Sequence, residues 1–308
     1  MDFQKAKEFI YRNARPVEFA LWRFHMEHGS MEEVLTCLSF FQNEDGGFGH
    51  ALEADSFNPF SAPLETCTAI KTLWDIGFRD SSHPIIQGVL RYLDSGDGYS
   101  EELKQWNGSI PTNDDYPHAY WWSYEKPKEY NPNPTAALAG FILFHAPKES
   151  DLWQKGKETA VNAYDWLVNN YPIHEEHQLG CYIQLFDYLN EGGITNVIDL
   201  DDFKKRLLEL VPQHICRETE RWGKDYVALP SRFIRNKESI FYAGNEELVE
   251  AECAYLAKTQ QEDGSFNVPW QWYNDYKEFE LAANWWKSII LLENITFVKE
   301  FMADSATS

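Results

Sequence analysis

The chain has 308 residues, a formal net charge of −22 at pH 7 and a sequence pI near 4.7. Nucleic acids and anionic lipid surfaces bind proteins through basic residues that neutralise phosphates, so this charge excludes both as expected partners. No stretch approaches the roughly 18 consecutive apolar residues that a membrane span requires, and residues 1–16 lack the apolar core of a signal peptide. The composition therefore predicts a soluble, cytoplasmic protein that can bury a substantial core.

Helical periodicity dominates the chain, because apolar residues recur three or four positions apart. The clearest predicted helices are, in chain order, 17–30, 30–42, 63–77, 151–171, 198–215 and 245–260. Ser30 suits the N-cap of the second of these helices, and Gly77 suits the end of the third. Alternating strand patterns are almost absent, so we predict an all-α fold of roughly ten to twelve helices with short connections.

Two helix-poor stretches interrupt this rhythm, from Gly96 to Pro134 and from about Glu220 to Gly244. Long irregular connections in a helical domain often carry function, and a passive surface insertion is the alternative. No linker or low-complexity segment separates two halves of the chain. We therefore expect residues 1–308 to form a single domain.

The cysteine pattern indicates the redox compartment of the protein, and the aromatic content indicates what its interior must hold. The cysteines are scattered, odd in number and contain no C-x-x-C pair, which indicates a reducing compartment and small core residues. Aromatic residues make up 16% of the chain, including 12 tryptophans, so a core or a cavity wall must hold a large aromatic surface. The five cysteines are Cys37, Cys67, Cys181, Cys216 and Cys253.

A short motif occurs twice, in FQNEDGGFGHALEAD at 41–55 and in TQQEDGSFNVPWQW at 259–272. Each copy ends a predicted helix with Gln, turns on Asp-Gly where a positive φ is favourable, and places an aromatic ring against the helix ends. The turn residues are therefore predicted to be structural. The matching pairs are Leu38 and Leu256, Gln42 and Gln260, Glu44 and Glu262, Asp45 and Asp263, Gly46 and Gly264, and Phe48 and Phe266.

The two copies resemble the squalene cyclase-type repeats of the terpenoid cyclase and protein prenyltransferase superfamily. The resemblance implies an α/α toroid, a double ring of helix hairpins around a central cavity, over nearly the whole chain. It also implies an enzyme that binds an apolar, isoprenoid-like substrate in that cavity and uses carboxylate acid/base chemistry. The usual initiating motifs are missing, because residues 112–115 lack the first acid of D-x-D-D and Thr66 stands where D-C-T-A-E begins with its acid.

Two segments concentrate the titratable groups expected of an acid/base site. His50, Glu53 and Asp55 lie within six residues between a glycine turn and a proline-rich loop, where partial burial would raise a carboxyl pKa. Asp115 and His118 lie in the longest irregular stretch. These five are the candidate catalytic residues, and capping of nearby loop backbone is the alternative role.

Aromatic and basic side chains supply the candidate substrate contacts. Rings could stabilise a cation or stack on a ligand, and a guanidinium pair could clamp a carboxylate or phosphate. Packing onto the surface and ion pairing with the abundant acids are the alternatives. The candidates are Phe48, Trp121, Trp122, Tyr124, Trp270, Trp272, Arg232 and Arg235.

No metal or cofactor is expected, although one spacing suits zinc. His174, His177 and Cys181 fall at i, i+3 and i+7, which would place them on one helical face. Such acid-rich helix starts are more often solvated. The partner is therefore expected to be a small-molecule substrate or ligand, and the sequence leaves the oligomeric state open.

Two further functions stay open at this stage. The same ring of helices is used by carbohydrate-active enzymes, with tryptophans stacking on sugars and a carboxylate pair cleaving the glycosidic bond. A non-catalytic ring that binds a ligand or a protein partner would also keep the repeat turns, because one architecture hosts many functions.

Overall fold

The computed structural model describes residues 1–302, and these residues are mostly helical. They contain eleven α-helices and one two-stranded antiparallel ribbon, β1 (Tyr99–Ser100) with β2 (Gln105–Trp106), which confirms the predicted all-α class. The helices are α1 Phe3–Asn13, α2 Pro16–Glu27, α3 Met31–Ser39, α4 Pro63–Asp75, α5 Pro84–Ser95, α6 Thr135–His145, α7 Asp151–Asn169, α8 Glu176–Glu191, α9 Leu200–His214, α10 Glu246–Thr259 and α11 Phe279–Met302.

Two helix termini lie at the capping residues that the sequence predicted. Ser30 Oγ accepts the Glu33 N–H at 3.2 Å ahead of α3, as the sequence predicted. Gly77 follows α4 with φ +75° and donates its N–H to the Trp74 carbonyl at 2.9 Å. Both predicted helix-poor stretches are confirmed, since 96–134 holds the ribbon and two short 3₁₀ turns and 220–244 holds only 3₁₀ and irregular backbone.

The described chain divides into two compact units. Unit 1 comprises Met1–Cys37, Leu208–Gln271 and the described residues from Lys277 onward. Unit 2 comprises Leu38–Leu207 and Trp272–Tyr276. Residues 303–308 lie outside the described residues, and the single domain over 1–308 stays a prediction.

Helix α11 organises unit 1, where it packs against α1, α2 and α10. The buried Arg15 side chain pairs with buried Glu18 at 2.5 Å and lies over the Trp285 ring at 5.0 Å. Removing one member of such a pair would leave the other charge buried without its counter-ion. Replacing either residue alone is therefore expected to destabilise the fold.

Helix α6 forms the centre of unit 2 and packs against α4, α5, α7 and α8. All of its residues except Phe144 are buried, so its sequence, TAALAGFILFH, is apolar on every face. A helix with apolar side chains all round must be covered on all sides. The neighbouring helices supply that cover.

Both copies of the repeat fold into the same turn. Gly46 and Gly264 have φ +97° and +93°, values that favour glycine. Asp45 and Asp263 each accept the backbone N–H two residues later, in both cases at 2.9 Å. The turns, called the first repeat turn (42–48) and the second repeat turn (260–266), are the structural elements that the sequence predicted.

The glutamine of each repeat turn binds the start of another helix. Gln42 Nε2 donates to the carbonyl of Gly46 in its own turn at 2.9 Å and to that of Ile85 in the first turn of α5 at 3.0 Å. Gln260 Nε2 likewise donates within its own turn at 3.0 Å and to the Asp2 carbonyl at 3.1 Å, and its Oε1 accepts the Asp2 N–H at 2.7 Å. Asp2 is the N-cap of α1, so each turn ties a helix start to a helix end.

Replacement of Gln42 by alanine is expected to lower the free energy of unfolding by about 1–2 kcal/mol, because two partly buried carbonyls lose a donor. Chemical denaturation would measure the change. Gln87→Ala is the matched control, since Gln87 is exposed and donates one hydrogen bond to the Ser81 carbonyl. Equal losses in the two variants would show that the repeat-turn glutamine has no special role.

Candidate functional site

Three loops of unit 2 meet around Asp55. They are 50–60, which follows the first repeat turn, 111–124, and the segment Trp272–Tyr276. Because the loops have little regular structure, hydrogen bonds from one backbone to another hold them together. These bonds run from the Ala119 N–H to the Asp55 carbonyl at 2.9 Å, from Phe57 to Pro117 at 2.9 Å, and from Tyr120 to Trp272 at 3.3 Å.

Asp55 is buried, with 3% of its surface exposed. Its Oδ1 accepts the indole N–H of Trp272 at 2.6 Å, although the two residues are 217 positions apart in the sequence. The Trp272 ring is also buried and lies edge-on to Phe57, with 5.7 Å between ring centroids. An ionised Asp55 would make this a strong, charge-assisted hydrogen bond.

His118 is the second buried titratable group in these loops. Its Nδ1 lies 2.7 Å from the Tyr116 carbonyl, which can only accept, so Nδ1 carries a proton. In the neutral ring Nε2 is then an acceptor, and the Ser123 hydroxyl lies 3.0 Å from it. Asp114 Oδ1 lies 3.9 Å from the same nitrogen. Asp55, Phe57, His118, Ser123 and Trp272 are called the Asp55 cluster below.

Strained backbone leads into the Asp55 cluster. His50 and Ala51 both adopt positive φ, at +59° and +60°, and neither is glycine. Residues held in this region raise the energy of the fold and often occur at functional sites. The His50 side chain itself is exposed and bonds Asn43 Oδ1 at 2.8 Å.

Aromatic rings form an exposed rim beside the Asp55 cluster. Tyr120, Tyr273 and Tyr276 are 59%, 71% and 38% exposed. Tyr120 lies edge-on to Trp121 at 5.2 Å and to Tyr273 at 6.0 Å, while Tyr276 lies 5.7 Å from the His118 ring. Rings that remain this exposed are available to a ligand.

The remaining candidate catalytic and binding residues of unit 2 are not members of the Asp55 cluster. Glu53 is half-buried and its N–H donates to Glu65 Oε2 at 2.6 Å, while Asp115 is exposed. Trp122 and Tyr124 are half-buried on the same loop as His118. Phe48 has no exposed surface and occupies the first repeat turn, which is the position of a core residue.

Three candidate binding residues lie in unit 1 instead. Trp270 is half-buried and lies edge-on to Trp286, with 5.0 Å between ring centroids. Arg232 is half-buried at the end of a 3₁₀ turn, and Arg235 is exposed three residues later. None of the three belongs to the loops around Asp55.

The three residues whose spacing suits zinc, His174, His177 and Cys181, do not share a helical face. Glu175 caps α8 by accepting the N–H groups of His177 and Gln178, so the helix begins at Glu176 and His174 lies outside it. Cys181 is buried within the helix, whereas His177 is exposed. Among residues 1–302, no group of three or more His, Cys, Asp or Glu side chains could hold a metal ion.

Two buried titratable groups escaped the sequence analysis. Glu252 on α10 is fully buried, accepts the Ser231 N–H at 2.8 Å and the Ser231 hydroxyl at 2.5 Å, and burial raises the pKa of its carboxyl to about 7. Burial, with the nearby Arg79 charge, lowers the pKa of His145 to about 4. Glu252 could have been found, because it falls on the apolar stripe of α10 between Val249 and Leu256.

Comparisons with protein-family models, with curated proteins and with solved structures found no match to this chain. Within the described residues, no helix is long and apolar enough to cross a membrane. Function must therefore be inferred from the Asp55 cluster and its surroundings.

Proposed function

We propose that the protein is an enzyme of the terpenoid cyclase-like class, in which an α/α toroid encloses a central cavity for an apolar, isoprenoid-like substrate. Support comes from the two repeat turns, because each uses its glutamine to bind a helix start and its Asp-Gly to reverse the chain. Such turns tie helix hairpins in the superfamily that the sequence resembles. The substrate class rests on that resemblance and on the aromatic rim.

The observation that carries the proposal is the buried Asp55 carboxyl held by Trp272 at 2.6 Å. In this role the buried Asp55 carboxyl would carry a proton and donate it to the substrate. Transfer to a carbon–carbon double bond breaks the O–H bond, forms a C–H bond and leaves a carbocation on the neighbouring carbon. The indole N–H of Trp272 would stabilise the carboxylate, and aromatic faces would stabilise the cation.

The same geometry favours Asp55 over the other candidate acids. Asp115 is exposed to solvent, so it lacks the shielded environment that surrounds Asp55. His118 is buried, and each of its ring nitrogens has a hydrogen-bond partner that fixes the orientation of the ring. This suits a residue that positions the loop or relays a proton. A small-molecule partner, a cytoplasmic location, and the absence of a cofactor belong to this proposal.

Asp55→Asn tests the assignment of the acid. Purified protein would be incubated with prenyl alcohols, prenyl diphosphates and squalene-type hydrocarbons, and products would be measured by mass spectrometry. We expect wild-type turnover of one class and a loss of about a hundredfold in the variant, because asparagine cannot donate the proton. Asp115→Asn, an exposed site with the same chemical change, is the control and should keep full activity.

Two outcomes would contradict the proposal. Full turnover by Asp55→Asn would remove Asp55 from the acid role. Tight binding of an isoprenoid without any turnover by the wild type would instead favour a non-catalytic ligand-binding protein. Thermal unfolding of each variant would show that lost activity does not come from lost structure.

A carbohydrate-active enzyme is the second candidate function, and the exposed rim favours it. Tyr120, Tyr273 and Tyr276 offer ring faces to solvent, as sugar-stacking residues do, and exposed Asp114 and Asp115 lie on the same loop as Tyr120. Tyrosine fluorescence during titration with neutral oligosaccharides would test sugar binding. A signal that is unchanged in Tyr273→Ala would count against the rim as a sugar site.

A further inference from the structure

A serine and a histidine of the 111–124 loop form a hydrogen-bonded pair. Ser123 Oγ lies 3.0 Å from His118 Nε2, and His118 Nδ1 lies 2.7 Å from the Tyr116 carbonyl. Because that carbonyl can only accept, Nδ1 carries the proton of the neutral ring and the Ser123 hydroxyl donates to Nε2. A nucleophile, a base within hydrogen-bond reach and a third group that orients the base are the parts that covalent catalysis requires.

Solvent exposure differs between the two side chains. Ser123 is exposed, so a substrate can reach its oxygen, whereas 5% of the His118 surface is exposed. The Tyr276 ring packs beside the imidazole, with 5.7 Å between ring centroids. A buried imidazole that accepts from an exposed hydroxyl can take its proton as the oxygen attacks a substrate.

Backbone hydrogen bonds hold both members of this pair in place. The Ser123 N–H donates to the Tyr120 carbonyl at 3.2 Å. The His118 carbonyl accepts from Asn274 Nδ2 at 2.7 Å, and the His118 backbone forms an antiparallel bridge with Ser56. A nucleophile and base that are fixed in contact before the substrate arrives need little rearrangement to react.

A second serine–histidine contact in unit 2 provides a comparison. Ser81 Oγ lies 2.8 Å from His145 Nδ1, but Ser81 is half-buried. Burial, with the nearby Arg79 charge, lowers the pKa of His145 to about 4, which makes it a weak base near neutral pH. The contact in the 111–124 loop is therefore the better candidate for chemistry.

The surroundings of Ser123 indicate which substrates it could reach. Tyr120 begins the 3₁₀ turn that Ser123 ends, and Tyr276 lies beside the base, so the exposed aromatic rim adjoins the hydroxyl. Exposed rings can pack against an apolar or aromatic acyl group. Asp114 Oδ1 lies 3.9 Å from His118 Nε2, which disfavours a negatively charged substrate.

We propose that Ser123 is a nucleophile and His118 its general base in the hydrolysis of neutral esters with an apolar or aromatic acyl group. As His118 Nε2 takes the hydroxyl proton, Ser123 Oγ bonds to the carbonyl carbon. The C–O bond to the alcohol then breaks, and the alcohol leaves with the proton from His118. Water next attacks the acyl-serine and gives a proton to His118, the C–Oγ bond breaks, and Ser123 regains its proton. One ester and one water give one acid and one alcohol.

Labelling with diisopropyl fluorophosphate tests the proposal. Ser123 Oγ would bond to phosphorus, the P–F bond would break to release fluoride, and His118 would take the hydroxyl proton. Full-length protein would be treated with the reagent, digested and mapped by mass spectrometry. We expect a diisopropylphosphoryl group on Ser123 in the folded protein and none when the chain is denatured in urea before treatment.

Two variants supply the matched comparison. Ser123→Ala should lose the label and hydrolyse p-nitrophenyl butyrate about a hundredfold more slowly than the wild type. Ser82→Ala should keep both properties, because Ser82 is also exposed but its hydroxyl donates to Asp80 Oδ1 at 2.7 Å instead of to a histidine.

The wild-type map alone can overturn the proposal, which keeps the test valid if a variant folds poorly. An unlabelled Ser123 would show that His118 does not activate it. Label on Ser81 instead, or equal labelling of Ser123 in the folded and the denatured chain, would show that the contact with His118 confers no special reactivity. The labelling needs no isoprenoid, so this inference and the proposed isoprenoid chemistry can fail separately.

Discussion

Replacing Gly46 with alanine is expected to lower the free energy of unfolding by about 3–5 kcal/mol, the largest single effect that we predict. Gly46 has φ +97°, and an added Cβ would lie 2.0 Å from the Gly88 carbonyl oxygen on α5. That oxygen belongs to a helical backbone, so it cannot move aside as a flexible side chain would. Strain at positive φ and steric overlap therefore act together.

Gly77→Ala separates these two contributions. Gly77 has φ +75°, but a Cβ added there would meet no atom within 4 Å. We expect it to cost about 1–2 kcal/mol, from backbone strain alone. Chemical denaturation of both variants would measure the difference, and equal losses would show that the close approach of the first repeat turn to α5 contributes nothing.

Replacing Glu252 with glutamine is expected to stabilise the protein by about 3 kcal/mol at pH 8 and to have little effect near pH 4. Glutamine has the shape of the protonated acid and can still accept the Ser231 N–H and donate to its hydroxyl. The size follows from the rise of the carboxyl pKa from 4.5 to about 7, at about 1.4 kcal/mol per pH unit.

The direction of this pH dependence follows from where the proton is held. Below pH 4.5 the Glu252 carboxyl is protonated in both the folded and the unfolded chain. Between pH 4.5 and about 7 the unfolded chain releases the proton while the folded chain retains it, so stability falls as pH rises. Above about pH 7 both forms are ionised and the loss is complete.

Thermal unfolding of the wild type and of Glu252→Gln between pH 4 and pH 8 would measure this effect. Glu250→Gln is the matched control, since Glu250 lies on the same helix and is exposed, and it should change stability by less than about 0.5 kcal/mol. A difference between wild type and Glu252→Gln that stays constant with pH would show that the pKa of Glu252 is not raised in the folded protein.

Local signals predicted most of the fold. Apolar periodicity indicated the helices, Ser30 and Gly77 indicated two helix ends, and the paired Asp-Gly turns indicated that 42–48 and 260–266 share one structure. Each of these features depends on residues within one or two turns of backbone, so the sequence contains the physical cause in one place. The ring arrangement depends on long-range packing and stays a proposal.

Local sequence patterns could not predict the contacts between residues that are far apart in the chain. Asp55 and Trp272 were named separately as candidates, but no local pattern indicates that an indole 217 residues away donates to this carboxyl. His174 was placed on a helical face by spacing, whereas the cap at Glu175 starts the helix later. Side-chain caps can override periodicity by a residue or two, which is enough to separate a proposed ligand from its neighbours.

The hydrogen bonds between Gln260 and Asp2 affect the order in which the chain can fold during synthesis. The ribosome releases α1 well before Gln260, the residue whose side chain holds the start of this helix from 258 positions later. Unit 2 is almost one continuous run of sequence, so its helices can pack while translation continues. Because α1 and α2 both pack against α11, the faces that they bury there stay uncovered until α11 has been synthesised.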